Sequence, residues 1–281
     1  MEGYRMTEER VAGFREHLEG EEHGKATVEK YVRNVRFFAA WLEGEAVSRE
    51  AVARWKAHLQ GAGLSPCTVN AKLSALNRFF AYAGLEGCRV KFLHIQRKVF
   101  RDRARNLSRG EYMRLLCAAR ELGKEQLGLA METIGATGIR VSELAYITVE
   151  AARAGRATVS LKGKVRVILI PPKLCRKLLK YAKGKGIRGG KVFVTRSGKG
   201  VSRGQVWRGM KALCRKAGVE GSKVFPHNLR HMFATVFYRA SRDIVKLADV
   251  LGHSSIETTR IYLIATGEEH SRQMNRLELV T

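Results

Sequence analysis

Apolar positions recur at helical spacing through the first eighty residues. In VEKYVRNVRFFAAWL, Val28, Tyr31, Val35, Phe38 and Leu42 share one face, while Arg33 and Arg36 fall off it. SREAVARWKAHLQGAG opens on a serine suited to N-capping and closes in glycines suited to a C-cap. Ser65-Pro66 starts a further helix, with proline in the first turn, where its missing N–H costs little. That helix, expected from Pro66 to Tyr82, buries Val69, Leu73, Leu76, Phe79 and Phe80, and Gly84 ends it. The pattern predicts a four-helix bundle over residues 1–88.

The periodicity then fails, and basic residues crowd a linker at 89–106: Arg97, Lys98, Arg101, Arg103 and Arg105. Ser108-Arg-Gly-Glu111 is a capping box that opens a second domain, 107–281. Helices are expected at about 124–136 and 141–148. The clear strand pair is ATVSL (157–161) and VRVILI (165–170), joined by Lys162-Gly163-Lys164. Pro171-Pro172 begins another helix, KVFVT (191–195) is a candidate strand, and helices resume to the C-terminus. The fold class is mainly α with a small β-hairpin.

Composition changes the picture through charge. Of the 281 residues, 52 are Lys or Arg and 26 are Asp or Glu, a formal net charge of +26. Such an excess repels itself unless a polyanion shares the surface, which points to nucleic acid. Residues 1–50 carry 8 basic and 11 acidic side chains, whereas 51–100 carry 8 basic side chains and a single acid, Glu86. Between Glu150 and Glu220 there is no acid against twenty Lys or Arg, more than a solvated mixed-sign face explains. Membrane and secreted classes do not fit: no apolar run approaches a span, and MEGYRMTEER lacks a signal-peptide core. A cytoplasmic, nucleoid-associated protein is expected. The five Cys (67, 88, 117, 175 and 214) form no CxxC pair and read as reduced structural thiols.

The acids limit the chemistry. The three Asp (102, 243 and 249) are scattered, so a two-Mg²⁺ carboxylate cluster is not indicated and no cofactor is expected. Phosphodiester chemistry would rest on Lys, Arg and His. Pro226-His-Asn-Leu-Arg-His231 places His227 and Arg230 three apart at a helix start, where an anion is welcome. Leu251-Gly-His253 is followed nine residues later by Tyr262. Ala136-Thr-Gly-Ile-Arg140-Val-Ser-Glu-Leu144 sets Arg140 just past a glycine break, where it could equally be a plain salt-bridge partner of Glu143. Each taken singly fits an ordinary surface pair or core aromatic.

Their order is more specific. TGIRVSEL, the Lys162 hairpin, HNLRHMFAT and LGHSSIETTRIY together resemble the tyrosine recombinase (phage integrase) family, over essentially the whole second domain. SPCTVNAKLSALNRFFAYAG resembles the SAM-like core-binding domain of the same proteins. Asn228 departs from the Asp of many relatives, at a non-catalytic position. The resemblance implies an integrase-type catalytic domain in which Tyr262 attacks the scissile phosphate, leaving a 3′-phosphotyrosyl bond and a free 5′-hydroxyl. His227 would assist proton transfer, Arg140 and Arg230 would clamp the non-bridging oxygens, and His253 would donate to the same phosphate. Lys162 would protonate the leaving oxygen, with Lys164 the open alternative on so compact a turn.

The resemblance further implies double-stranded DNA at two recombination sites, gripped by a two-domain clamp, and a homotetramer linked through a C-terminal tail at 266–281. A second recombinase or an accessory DNA-bending factor is compatible with it. Asn70, Asn77 and Gln205 are candidates for base contact. Two rivals stay open: a type IB topoisomerase-like monomer, and a DNA-binding protein with an inactive catalytic domain.

Overall fold

A computed structural model of the chain describes residues 3–95, 106–161, 164–262 and Asn275. It divides into two compact units, residues 1–97 and 98–281. The described residues are mostly helical, with one two-stranded antiparallel sheet among them.

The first unit holds α1 (Glu8–Gly20), α2 (Lys25–Leu42), α3 (Arg49–Gly61) and α4 (Pro66–Tyr82). The serines at both predicted starts do cap: Ser48 Oγ accepts from the Ala51 N–H and Ser65 Oγ from the Thr68 N–H. Val28, Val35, Phe38 and Leu42 of α2 are buried against Val69, Leu73, Leu76, Phe79 and Phe80 of α4, with Trp55 of α3 in the same core. Phe38 meets Trp55 edge-on at 5.1 Å, and Phe14 of α1 meets Phe79 edge-on at 5.3 Å, the geometry aromatic quadrupoles favour. Asn70 has a structural role that its polarity did not announce. Its amide donates to the Leu93 carbonyl and its oxygen accepts from the Leu93 N–H, both at 2.8 Å, fastening the chain that leaves the bundle.

The second unit begins at α5 (Arg109–Glu121), capped by the expected Ser108/Glu111 box. There follow α6 (Glu125–Thr137), a 3₁₀ segment (Val141–Tyr146), α7 (Val149–Ala154), β1 (Arg156–Leu161) and β2 (Lys164–Leu169). After them come α8 (Pro172–Gly184), α9 (Arg203–Ala217), α10 (Pro226–Ser241), α11 (Ile244–Leu251) and α12 (Ile256–Arg260). In the hairpin, Val159 opposes Arg166 and Leu161 opposes Lys164. Two expectations need correction. Residues 141–146 wind as 3₁₀ rather than α helix. KVFVT forms no strand: Lys191 bridges Thr148 and Val194 bridges Gly200 as isolated pairs. Its apolar Val192 and Phe193 instead plug the core formed by α5 to α9. A short buried apolar run carries no periodicity to tell these outcomes apart.

Helix α8 shows how the basic block is built. Leu174, Leu178, Tyr181 and Ala182 are buried, and the lysines and arginines between them turn outward. No described helix is long and apolar enough to cross a membrane.

Candidate active site

Two left-handed glycines set up the site. Gly138 ends α6 at φ +66°, and a Cβ there would lie 2.4 Å from the Phe233 ring of α10. The close approach brings the Gly138 carbonyl to α10, where it accepts from an Arg230 Nη at 2.6 Å. Gly252 ends α11 at φ +65°, with the Arg166 side chain laid against it. The turn it makes presents the Leu251 carbonyl to Arg230 at 2.8 Å and places His253 Nε2 2.9 Å from the same nitrogen.

Arg230 is therefore a buried cation, 2% exposed, held by carbonyls and an imidazole. Among the described residues no carboxylate hydrogen-bonds it. Burial pulls its pKa down, Arg140 adds to the effect, and the neighbouring Tyr262 hydroxyl and Glu143 carboxylate oppose it. A buried positive charge without a paired anion is costly, and a bound anion would supply what is missing.

His253 is fixed from both sides. Arginine only donates, so Nε2 is an acceptor. The proton must then sit on Nδ1, which donates to Thr259 Oγ1 at 2.9 Å. Burial and the nearby Arg230, Arg140 and Arg166 depress the imidazole to about 4, so it is neutral at physiological pH. Thr259, fully buried one turn before Tyr262, carried no sequence signal for this role.

Tyr262 is 5% exposed and packs with Ala234, Leu247 and Leu251. Its ring stacks on His253 at 5.7 Å and tilts against His231 at 5.3 Å and His227 at 5.8 Å. Arg140 joins from the 3₁₀ segment. Buried Glu143 accepts from the Arg140 N–H at 2.6 Å and from its guanidinium at 3.1 Å. Glu143 also pairs with Arg166 of β2, whose other nitrogen donates to the Val250 carbonyl at 2.9 Å. Arg166, which the sequence did not single out, thus ties the hairpin to the Arg140 segment and to the end of α11. The salt bridge weighed for Arg140 is present, and it orients the side chain without burying it.

Arg140, His227 and Arg230 line one cavity of about 680 Å³, together with Arg203, Trp207 and Phe225. The structure thus gathers five of the six candidate residues, Tyr262 and His253 lying behind Arg230. Lys162 falls outside the described residues, as does the tail at 266–281 apart from Asn275; Lys164 starts β2. Gln205, a base-contact candidate, is engaged in capping α9 through the Ser202 N–H at 2.8 Å.

Residues 105–269 match the phage integrase family, and residues 11–87 match the phage integrase N-terminal SAM-like domain. The chain belongs to the phage integrase family. Among its relatives in this family is the tyrosine recombinase XerA of Thermococcus kodakarensis, 30% identical over 279 residues, covering 96% of this chain and 95% of that protein. XerD of Listeria monocytogenes serovar 1/2a is 26% identical over 263 residues, covering 85% and 88%. The fold matches lambda integrase (75–356) bound as a dimer to a COC′ core site, at TM-score 0.73, 18% identity and coverage of 91% and 94%. It also matches the XerH recombinase bound to its difH substrate, at TM-score 0.70, 18% identity and coverage of 92% and 81%. Membership of the phage integrase family makes the protein a site-specific tyrosine recombinase, an enzyme that breaks and rejoins DNA strands.

Proposed function

We propose that Tyr262 is the nucleophile of a two-step transesterification on duplex DNA, with the scissile phosphate in the cavity lined by Arg140, His227 and Arg230. Attack of the phenol oxygen on phosphorus forms a 3′-phosphotyrosyl bond and expels the 5′-oxygen. A second strand's 5′-hydroxyl then reverses the step, so bond energy is kept and no ATP is consumed. His227 at the cavity edge takes the phenolic proton, and Lys162 gives one to the leaving oxygen. The guanidiniums of Arg140 and Arg230 carry the charge that builds on the non-bridging oxygens, a bidentate task suited to their planar fork. His253, neutral, reaches the phosphate through Nε2 once Arg230 turns its donor to the anion. The Thr259 hydroxyl accommodates the change, because it can donate to Nδ1 as readily as accept from it.

The observation that carries this reading is the gathering of the buried Tyr262 ring against His227 and His253, with His253 Nε2 2.9 Å from the buried Arg230. Four cleavages in a tetramer, passing through a Holliday junction, would exchange two recombination sites. One solved neighbour, a lambda integrase tetramer, is bound to a Holliday junction. The tail at 266–281 is the proposed link between subunits, and domains at 1–88 and 107–281 joined by the basic linker 89–106 are the proposed clamp. The acid-free 151–219 block would hold phosphates, which implies binding that weakens steeply with salt. The cell interior, with its nucleoid DNA, is the proposed setting.

A suicide duplex incubated with the protein in EDTA tests the chemistry. A covalent DNA adduct is expected from the wild type and none from Tyr262→Phe. An adduct formed equally by both would remove Tyr262 from the mechanism.

A further inference from the structure

The cavity beside Arg140 is larger than one phosphate requires, and its far wall has a distinct chemistry. That wall is the start of α9, where Arg203 and Trp207 stand one turn apart and face the same space as Arg140, His227 and Arg230. Trp207 is 45% exposed. The other two tryptophans are spent on the first unit's core, Trp55 fully buried and Trp41 packed half-buried against it. A large indole left in water beside a cluster of guanidiniums is an unusual use of apolar surface. Lys211, one turn further along α9, holds its ammonium 5.8 Å from the Trp207 ring centroid. Gly204 lines the same cavity, and the Arg208 guanidinium lies 3.5 Å from where a Cβ there would stand, adding a further cation to this stretch of α9.

We infer that Arg203 and Trp207 form a subsite for the nucleoside adjoining the scissile phosphate. The indole packs against the deoxyribose and base edge, and Arg203 pairs with the next phosphate along the same strand. A nucleoside between two phosphates is the ligand whose chemistry fits this lining: an apolar, ring-bearing centre flanked by two anions. Aromatic faces suit it because every nucleoside offers apolar surface whatever its base, and guanidinium suits the phosphates. Trp207 thereby fixes the distance of the strand from the Arg140–Arg230 pair and sets how the flanking base pair is tolerated.

The inference rests on the phosphate being held by Arg140, His227 and Arg230. Its test reads binding without turnover. The full-length chain is titrated with thymidine 3′,5′-bisphosphate and, in parallel, with inorganic phosphate, following indole fluorescence and ³¹P line width. The bisphosphate should quench the wild type saturably and leave Trp207→Phe without that quench. Trp207→Ala should bind it about tenfold more weakly, while inorganic phosphate binds all three proteins alike. Circular dichroism and thermal midpoint confirm that both variants are folded. Equal bisphosphate affinity in the wild type and Trp207→Ala, or a quench that survives in Trp207→Phe, would overturn the subsite. A protein that forms no tyrosyl adduct yet shows the Trp207-dependent response defeats the catalytic reading and leaves the subsite standing.

Discussion

The two units bury different things. In the first, the core is aliphatic and aromatic, Asn34 is its one buried polar side chain among the described residues, and charges pair on the surface, as Arg36 does with Glu8. In the second, Glu143, Asn228, Arg230, His231 and Thr259 are all buried, and most of them lie around Tyr262. Surface ion pairs contribute little and can be lost cheaply. Buried charges cost several kcal/mol unless fully satisfied, so a fold keeps them where something other than stability depends on them. The first unit is organised to persist, the second to hold cations against a site.

Mutation should separate the two. Trp55→Ala, which empties the centre of the bundle, should destabilise the first unit by about 3–5 kcal/mol. Arg230→Ala should cut single-turnover strand cleavage by about a hundred- to a thousand-fold. Chemical denaturation and suicide-substrate kinetics on both variants check this. A Trp55→Ala protein that stays folded as stably as the wild type, or an Arg230→Ala protein that cleaves normally, would erase the contrast.

Thr259 sharpens it. Thr259→Val keeps the shape but removes the hydroxyl, at a cost of about 1 kcal/mol for one hydrogen bond. Cleavage should slow several-fold to about tenfold, while Thr259→Ser retains most of the rate. The ¹H and ¹⁵N shifts of His253 should show Nδ1 protonated and hydrogen-bonded in the wild type, and protonated without that hydrogen bond in Thr259→Val. An unchanged His253 spectrum would mean that the threonine only fills space.

The smallest effect is a pH slope. His253 titrates at about 4 in the folded protein, below its ordinary 6.5. Between those values the unfolded chain binds the proton that the folded one refuses, so stability rises with pH and falls on acidification from 6.5 towards 4. His253→Gln should flatten that part of the profile measured by thermal unfolding. A bound phosphate should push the imidazole back up and soften the same slope.

Much of this was legible in the sequence, for local reasons. The faces of α2 and α4, the serine caps and the Ser108/Glu111 box depend on neighbours three or four residues away, which periodicity and capping rules read directly. The candidate site residues stood out only through their ordered motifs, since no single spacing distinguished Tyr262 from a core aromatic. What stayed hidden depends on distant contacts. Arg166 acts through Glu143 and through Val250, 84 positions away. Asn70 looked like a DNA reader because its partner, Leu93, is 23 residues further on. KVFVT had strand composition but lacked a neighbouring strand to pair with along its length.

The central claim is that Tyr262 acts beside the Arg230 of its own chain. Mixing Tyr262→Phe with Arg230→Ala on a suicide duplex measures it, because neither protein alone holds both groups. The account predicts that the mixture forms no more adduct than either variant alone. Adduct restored by mixing would show that the tyrosine crosses to a neighbouring subunit, and the geometry described here would not be the reactive one.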